Sequence, residues 1–529
     1  MRYAILTLGA IALTHAPVLA GDERDLSRKI DSHIAAAHKK NGLAPAPRAE
    51  QHELLRRIYL DVLGRIPTPE EAAAYLKDTD PDKHRKLIDA LLTHPEMPVY
   101  WRGVFNHWLN GALEEKRAGA DEFLAFLEKR LADNAGWDKI ARELLDPNEK
   151  DATGAGAAYF LTSRLAGGDR MEQLDSMTVA VSSVFFGVQM QCAKCHNHPS
   201  VDAWKQENYY GLASFLGRTY SAKGTGSVPA LVEKGDGVVK FTGRGKPEQT
   251  ARLLFLDGKV SDAKGDRRKA LIETGVNATS PYFKRAMANR MWKQLVGVGL
   301  VEPVDQIHDG NPASHPELLN DLADDFARNR FDLRRLMAGI LHSDAYLRSS
   351  KWTGPGARPE PKRYAVAALK PLSPPQLAIA LAQATGYTET LRAKYEREKA
   401  RLKLDAITFG AVRKQFERER EYGTLVARFK QEGEPFQANA SHALFLSYNP
   451  IVQTMLKPGP GELVGQLAKA KDGAEVARLA YLAVLSRPPS TDEVADVVKY
   501  LATPGVAREE LCRDVIWALL ASTEFRFNH

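Results

Sequence analysis

Two of the chain's three cysteines lie in one short segment, Cys192-Ala-Lys-Cys195, and His196 follows at once. Two thiols three positions apart can reach the two vinyl groups of a porphyrin, and the adjacent imidazole can then bind the iron. The pattern C-x-x-C-H is therefore typical of c-type haem attachment, and it predicts haem c bound by Cys192, Cys195 and His196.

The pattern leaves the second axial ligand of the iron undefined. His198 is too near His196 to reach the opposite face of the same haem, and Met190 lies too close before Cys192. We name His107 as a guess for this ligand, and an open sixth position fits the pattern equally well. The other candidates are His308, His315 and His342.

Two other interpretations of the motif stay open. Thiolates and imidazoles bind zinc, so Cys192, Cys195, His196 and His198 could form a compact metal site, although four ligands within seven residues strain a tetrahedron. Alternatively, the chain holds no cofactor and Cys192 and Cys195 form a disulfide, either structural or redox-active, which an oxidising compartment permits.

The first twenty residues, MRYAILTLGAIALTHAPVLA, have the pattern of a secretory leader. Arg2 precedes an apolar run through Leu13, and small residues at Val18 and Ala20 suit cleavage after Ala20. We therefore predict a signal peptide at residues 1–20 and export to the periplasm or cell envelope. No later segment reaches about 18 uninterrupted apolar residues, so we expect no transmembrane segment after the leader.

Composition describes a large folded protein with a mixed surface. The 73 basic residues nearly balance the 66 acidic ones, and no nucleic-acid-binding motif is present, so we expect no nucleic acid partner. Three cysteines are too few for a disulfide scaffold, and Cys512 falls within an apolar helical pattern that predicts a buried structural thiol. The common hydrolase, metalloprotease and nucleotide-binding motifs are absent from the sequence, which leaves open whether the protein is an enzyme.

Apolar residues at helical spacing predict a mainly α fold. A helix is expected over 25–41, ending before Gly42, and another in EQHELLRRIYLDVLGR, after which Thr68 and Pro69 begin a third. Gly-rich sequence with short Val, Phe and Thr runs predicts a small β-rich insertion at 217–262. We therefore expect two helical domains, at 25–216 and 263–529, on either side of that insertion.

One helical unit occurs twice. RRIYLDVLGRIPTPEE, at 56–71, aligns without gaps on RLAYLAVLSRPPSTDE, at 478–493, with eight identities in sixteen positions. We call these the N-terminal corner and the C-terminal corner. Because two copies are too few for a solenoid, they indicate a shared helix–turn–helix corner, in which Arg65 and Arg487 are expected to bind helix C-terminal carbonyls.

Longer motifs carry a resemblance to a known pair of families. LLRRIYLDVLGRIPTPEEAAAYL, VYWRGVFNHWLN and FFGVQMQCAKCHNHPSVDAWKQENYYGLASF resemble the domain of unknown function 1549, described as planctomycete cytochrome-like. The segments SPYFKRAMANRMWKQLVGVGLVEPVDQIHDG and DVIWALLASTEFRFNH resemble its usual companion, the domain of unknown function 1553. Together the motifs cover nearly the whole mature chain.

The resemblance has two consequences for the motif. Larger relatives place a separate cytochrome c domain ahead of this unit, and nothing comparable fits between the leader and Asp25, so Cys192, Cys195 and His196 must themselves hold any haem. The family more commonly has His-Pro-Phe-Asp before a Trp region, whereas this chain has Ser200-Val201 between the His-Pro and the Asp. We expect this deviation to affect local packing and not the motif.

Polar residues elsewhere in the second resemblance are expected to be architectural. In HDGNPASHPELLNDLADDF, Ser314 is predicted to cap a helix opened by His315 and Pro316, with Glu317 completing a capping box. Asn289, Arg290 and Trp292 are predicted to stabilise an amphipathic helix.

These features support two functional hypotheses. The first is an exported haem-c redox or electron-transfer component that acts with an unidentified envelope partner. Trp204, Tyr209, Tyr210 and Phe215 could cover the porphyrin edge, although each taken singly is typical of helix core. The second is a non-enzymatic helical scaffold or binding module for envelope polysaccharide or a secreted partner, with Cys192 and Cys195 as a disulfide or metal site.

Overall fold

The computed structural model describes residues 23–111, 118–148, 151–198, 201, 204–224, 227–235, 237–243, 247–430, 440–459 and 461–529. The predicted leader at 1–20 lies outside these residues. The fold is mainly α, as the sequence predicts. Within the described part of the chain, every helix is too short or too polar to cross a bilayer.

The region before the β-rich insertion consists of helices joined by short turns. Thr68 caps the third helix through Glu71 N–H, and Glu71 returns a hydrogen bond to Thr68 N–H, which confirms the predicted start at Pro69. The α-helices are α1 (Glu23–Lys40), α2 (Gln51–Val62), α3 (Pro69–Lys77), α4 (Lys83–Leu92), α5 (Glu96–Asn110), α6 (Ala120–Ala132), α7 (Trp137–Leu145), α8 (Ala152–Ala155), α9 (Tyr159–Thr162), α10 (Arg170–Phe186) and α11 (Gln206–Leu216). Short 3₁₀ helices cover Gly156–Ala158 and Gln191–Lys194.

Three small antiparallel hairpins follow, in the segment where the sequence predicts the β-rich insertion. In register, Thr219 pairs with Glu233, Lys240 with Thr250, and Leu253 with Ser261. The strands are β1 (Thr219–Ala222), β2 (Ala230–Glu233), β3 (Lys240–Thr242), β4 (Glu248–Thr250), β5 (Leu253–Leu254) and β6 (Val260–Ser261).

The remainder of the chain returns to helices. The first of these are α12 (Arg267–Gly275), α13 (Pro281–Val296), α14 (Pro316–Arg328), α15 (Leu333–Leu341) and α16 (Asp344–Leu347), after which a 3₁₀ turn covers Pro361–Arg363. Those that follow are α17 (Pro374–Ala384), α18 (Tyr387–Arg397), α19 (Lys399–Leu402), α20 (Phe409–Phe416), α21 (Arg420–Lys430), α22 (Ala440–Tyr448), α23 (Pro450–Met455), α24 (Leu463–Ala468), α25 (Gly473–Leu485), α26 (Thr491–Leu501), α27 (Arg508–Ala521) and α28 (Thr523–Arg526). Strands β7 (Lys370–Pro371) and β8 (Phe527–Asn528) pair antiparallel near the C terminus.

Two hydrophobic cores organise these helices. The larger core takes apolar side chains from Leu26 to Tyr364, and the smaller takes them from Leu372 to Phe525. The corners join the two cores, because Leu60 and Ile66 enter the smaller core while Leu482 enters the larger. The helices on both sides of the β-rich insertion therefore share one core. The domain limits at 25–216 and 263–529 stay predictions from the sequence.

The corner arginines mainly bind carboxylates, and the backbone carbonyl that each also reaches belongs to the residue after it, Ile66 or Pro488, and not to the helix C terminus predicted from the sequence. Arg65 donates to both oxygens of Glu71, at 2.7 and 2.9 Å, and to Glu96 at 2.8 Å. Arg487 makes the same arrangement with Glu493 and Glu524. The expectation is wrong because a buried guanidinium needs countercharge, and the capping-box glutamate of the next helix supplies it.

Candidate functional site

The motif lies just beyond the C terminus of α10. Gly187 ends that helix with φ +65°, in the left-handed region that glycine adopts without strain. A Cβ atom at Gly187 would lie 2.7 Å from Ile307 Cδ1, so the side chain of Ile307 packs closely over this turn. The chain then turns through the 3₁₀ helix Gln191–Lys194, which carries Cys192.

A segment of the later chain lies beside the start of this turn. Ile307 N–H donates to Gly187 O at 2.9 Å, and Val188 forms a β-bridge with Gln306. Gln306 Nε2 donates to Gln189 Oε1 at 2.8 Å. These contacts fix residues 306–308 against the chain that leads into the motif.

The motif itself is attached to α10 and α11 by polar contacts. Lys194 Nζ lies 3.1 Å from Asp175 Oδ2, and the Tyr209 hydroxyl donates to the same carboxylate. Gln206 Nε2 donates to Lys194 O at 3.1 Å. Burial, together with Asp175, raises the pKa of Tyr209, so this hydroxyl stays protonated as a donor.

Cys192 and Cys195 are exposed free thiols, whereas Cys512 is fully buried. The predicted burial of Cys512 is confirmed, and this burial raises the pKa of its thiol. Among the residues that the structure describes, no three His, Cys, Asp or Glu side chains come together as a metal site. The motif therefore presents two accessible sulfurs to the outside of the protein.

His196 is exposed, and its ring is hydrogen-bonded to the backbone of the next residue. Nδ1 lies 2.7 Å from Asn197 O, and because a carbonyl oxygen only accepts, Nδ1 is the donor. In the neutral ring the lone pair then lies on Nε2. Metal-binding histidines commonly hold the second ring nitrogen in this way, and here the hydrogen bond leaves Nε2 as the nitrogen with an available lone pair.

His198 packs into a cluster of rings. It lies edge-on to Trp204, with ring centroids 5.2 Å apart, and 6.3 Å from His308. The His308 ring is 4.9 Å from Trp204, which is almost fully buried. Burial and the neighbouring His198 lower the pKa of His308, so its ring is neutral at pH 7.

The other histidines proposed for the second axial position lie elsewhere. His107 is exposed on α5. His342 is buried and bonds Asp89 through Nε2 at 2.9 Å. His315 packs on Tyr364, with ring centroids 5.3 Å apart, and its Nδ1 lies 3.2 Å from Ser314 Oγ. Met190 is fully buried.

The apolar residues around the motif belong to the larger core. Trp204, Tyr209 and Phe215 are nearly or fully buried there, and so are Phe185 and Phe186 on α10. Tyr210 is half-buried and stacks on Phe241, with centroids 4.7 Å apart. At the sequence deviation before Trp204, Val201 is buried, and Ser200 lies outside the described residues.

The predicted cap at Ser314 is wrong. Helix α14 is preceded by His315 as the N-cap residue, without a side-chain cap, so Glu317 lies one position too early for a capping box. Ser314 instead donates its N–H to Leu300 O at 2.8 Å, and its hydroxyl lies 3.4 Å from the Tyr364 hydroxyl. A tertiary contact thus replaces the local one.

Asn289 and Arg290 have the architectural contacts that the sequence predicts. The Asn289 amide exchanges two hydrogen bonds with the Val301 backbone, at 2.9 and 3.0 Å. Arg290 donates to Ser183 O at 3.1 Å, and burial lowers its pKa to about 10. The helix α13 that carries them is thereby tied to α10, directly before the motif.

Sequence reasoning missed one residue of this site and the position of another. Asp175 holds both Lys194 and Tyr209, yet it is one acid among many in an ordinary helix sequence. His308 was one of several histidine candidates, and its position beside His198 depends on chain more than 100 residues away. No local pattern carries that information.

Comparison with known families agrees with the motifs in the sequence. Residues 29–221 match PSCyt2, a protein of unknown function (DUF1549), and residues 267–501 match PSD1, a protein of unknown function (DUF1553). No curated protein and no solved structure matches the chain. The motif lies in the first matched region and His308 in the second.

Proposed function

The chain belongs to the DUF1549 family in its first half and to the DUF1553 family in its second, and from this premise we propose that it is an exported haem-c redox or electron-transfer component of the cell envelope. Cys192 and Cys195 hold the porphyrin through thioethers, and His196 Nε2 binds the iron. The observation that carries the proposal is the exposed pair of thiols beside a histidine whose Nδ1 is held by Asn197 O.

The attachment chemistry needs only the two thiols and the two vinyl groups. Each sulfur forms a C–S bond to one vinyl carbon, the vinyl double bond is lost, and the thiol hydrogen passes to the neighbouring carbon. The step therefore consumes no oxidant or reductant. When bound, haem c supplies one-electron iron chemistry, in which a reduced envelope partner loses an electron and an oxidised partner gains it.

The structure's own residues have clear tasks in this proposal. Asp175 holds Lys194 and so fixes the turn between the two cysteines. Asn197 O orients the His196 ring. Because the nearby aromatic side chains are already in the larger core, a haem on this turn lies at the surface, where a partner can approach closely.

The test is to produce the full chain in cells that have haem-attachment machinery. We expect a red protein whose haem stays attached in denaturing gels and shows the absorption of a haem with two thioether bonds. The Cys192→Ser, Cys195→Ser double variant should lose all bound haem. The matched control, Cys512→Ser, removes the buried third thiol and should keep it.

A colourless wild-type protein with both thiols intact, disulfide-bonded or holding zinc would overturn the proposal. Mass spectrometry of the intact protein distinguishes these three results. Zinc or a disulfide would instead support the metal and disulfide interpretations of the motif.

We also propose, as the second candidate, a helical scaffold or binding module for envelope polysaccharide or a secreted partner. The observation that favours it is the use of Trp204, Tyr209 and Phe215 by the core, since they are then not available to enclose a porphyrin. The double cysteine variant separates the candidates, because a scaffold keeps partner binding without the motif thiols.

A further inference from the structure

The positive charge of the chain is concentrated in two short segments. Residues 38–48 and 348–363 contain eight Lys and Arg residues and a single acid, Glu360. The whole chain has 73 basic and 66 acidic residues, and 65 of each remain when these segments are left out. The two segments therefore carry the entire net charge of +7, although they belong to different family regions.

Tertiary packing joins the two segments. Ser349 N–H donates to Pro47 O at 2.8 Å, and His38 Nε2 donates to Arg363 O at the same distance. These contacts place charges that are far apart in the sequence on one part of the molecule. We call the exposed side chains of the two segments the basic surface.

Like charges face each other where the segments meet. Arg48 and Arg348 lie opposite each other in an antiparallel β-bridge, an arrangement that costs stability when both side chains are cations. Arg348 is half-buried and is offset by Asp31 and Asp344. Arg48 is exposed and has no ion pair with any described residue. Backbone contacts thus hold this junction together in spite of its charge.

Most cations of the basic surface are unpaired. Lys362 forms an ion pair with Glu360 at 3.0 Å, and Glu50, just beyond the first segment, lies beside His52. Six other exposed cations have no ion-pair partner in the part of the chain that the structure describes: Lys39, Lys40, Arg48, Lys351, Arg358 and Arg363. Charges of one sign gathered in this way raise the local concentration of anions. The surface therefore favours a partner with several negative charges.

Within these two fully described segments, no side chain is free to insert into a bilayer or to stack on a nucleic base. The large apolar side chains, Leu43 and Trp352, are half-buried and pack on the small core of Ala46, Ala365 and Val366. Membrane-surface segments add inserted apolar residues to their charges, and proteins that bind single-stranded nucleic acid stack bases on aromatic rings. The sequence also has no nucleic-acid-binding motif. A hydrated polyanion therefore fits this surface best.

We propose that the basic surface binds an acidic polysaccharide, an inference that rests on the second candidate function and names its surface and its class of polymer. Lys and Arg side chains donate charge-assisted hydrogen bonds to carboxylate or sulfate oxygens. Each exposed contact is weak, but a polymer with acidic groups along its length engages several at once. Binding requires neither the motif thiols nor haem.

The experiment measures binding of the full chain to three probe polymers by calorimetry. Polygalacturonate carries carboxylates, heparin carries sulfates as well, and dextran is neutral. We expect the two acidic polymers to bind at low salt and to be released at high salt, because ions screen exposed charges, and we expect dextran not to bind. The Lys39→Gln, Lys40→Gln, Lys351→Gln triple variant should bind the acidic polymers about tenfold more weakly.

The matched control removes the same charge elsewhere. Lys139, Lys457 and Lys499 are exposed, lie outside the two segments and have no ion pair with any described residue. The Lys139→Gln, Lys457→Gln, Lys499→Gln variant has the same net charge as the first variant and should keep binding within about twofold, because distant charges are screened. Circular dichroism should show the same helical content in all three proteins.

The remaining results contradict the inference in distinct ways. Unchanged binding in the first variant, or an equal loss in both variants, overturns the assignment to the basic surface. Duplex DNA or anionic lipid vesicles bound as tightly as the acidic polysaccharides overturn the choice of polymer. Dextran binding that the first variant keeps overturns this inference and leaves the second candidate function intact. Failure of both acidic polymers to bind also overturns only this inference, because the second candidate function includes a secreted partner.

Discussion

The N-terminal and C-terminal corners contain the same residues in different surroundings. The Arg65 side chain is 3% exposed, and its partners Glu71 and Glu96 are 18% and 7% exposed. At the C-terminal corner, Arg487 is 17% exposed, and its two glutamates are about 30% exposed. Each arginine also stacks on the tyrosine six positions earlier, at 5.1 and 5.2 Å.

The sequence differences between the corners follow from what packs on them. The turn residue is left-handed in both, Gly64 with φ +65° and Ser486 with φ +61°. At Gly64 a Cβ atom would lie 2.0 Å from the Tyr100 ring, so only glycine fits. Ser486 has room for its side chain, and its hydroxyl lies 3.4 Å from Arg56 Nη1.

The comparison shows that residue identity sets the geometry of a corner, while burial sets its energetic value. A buried charge that loses its partner has no water to replace it, whereas a partly exposed charge does. The motif thiols contrast with both corner arginines, because these thiols are exposed to solvent.

The largest expected effect comes from Arg65→Met. It leaves the buried Glu71 and Glu96 carboxylates without countercharge and should lower the free energy of unfolding by about 3–5 kcal/mol. Arg487→Met is the matched control, with an expected loss of about 1 kcal/mol, because solvent reaches its glutamates. Urea denaturation followed by circular dichroism measures both. Equal losses would show that burial does not distinguish the corners.

The next effect concerns the first residue of each corner. Arg56 is fully buried and donates to Val484 O at 3.1 Å and Phe525 O at 2.8 Å, so it ties the N-terminal corner to the C-terminal one. Arg56→Met should cost about 2–3 kcal/mol, since two buried carbonyls lose their donors. Arg478 is exposed, and Arg478→Met should change stability by less than about 0.5 kcal/mol. A large loss in Arg478→Met would contradict this assignment.

Acid should weaken the C-terminal corner over a defined range. Hydrogen bonds from Arg487 outweigh the partial burial of Glu493 and lower its pKa from 4.5 to about 2. Because the folded pKa is the lower one, this stabilisation is complete above pH 4.5 and is lost as pH falls towards 2. Glu493→Gln should flatten the pH dependence of the urea midpoint between these values. An unchanged slope would mean that Arg487 does not hold Glu493 in solution.

Glu71 should follow the same direction in the N-terminal corner. Burial raises its pKa, but Arg65 and the Thr68 N–H outweigh burial, and the net pKa is lowered. Both Glu71→Gln and Glu493→Gln should therefore reduce the pH dependence of the urea midpoint. Because Glu71 is the more buried of the two, the difference in unfolding free energy between the variants measures the cost of losing a buried charge.

The smallest effect on stability is expected at the motif. In protein made without haem-attachment machinery, the Cys192→Ser, Cys195→Ser variant should unfold within about 0.5 kcal/mol of wild type, because both thiols are exposed. Thiol-reagent labelling of the native protein should fall from two groups to none. Cys512 should label only after unfolding in either protein. A strongly destabilised double variant would mean that the motif thiols are part of the framework.

Much of the fold was predictable because it depends on neighbours in the chain. Helical spacing of apolar residues, the Thr68 and Pro69 start signal and the glycine-rich β segment all act within a few residues. The buried Cys512 followed from the same periodicity. Ser314 shows the limit of such local signals, because its N–H bonds Leu300 O and its hydroxyl contacts Tyr364, in place of the predicted helix cap.

By itself, the sequence determined the helical elements, the repeated corner and the grouping of two thiols with His196, because covalent spacing fixes all three. Only the tertiary structure decided which acids neutralise Arg65 and Arg487, and which distant histidine lies beside His198. Those choices depend on how helices far apart in the chain pack together. Packing also determines which charges lose water, and no local pattern encodes that loss.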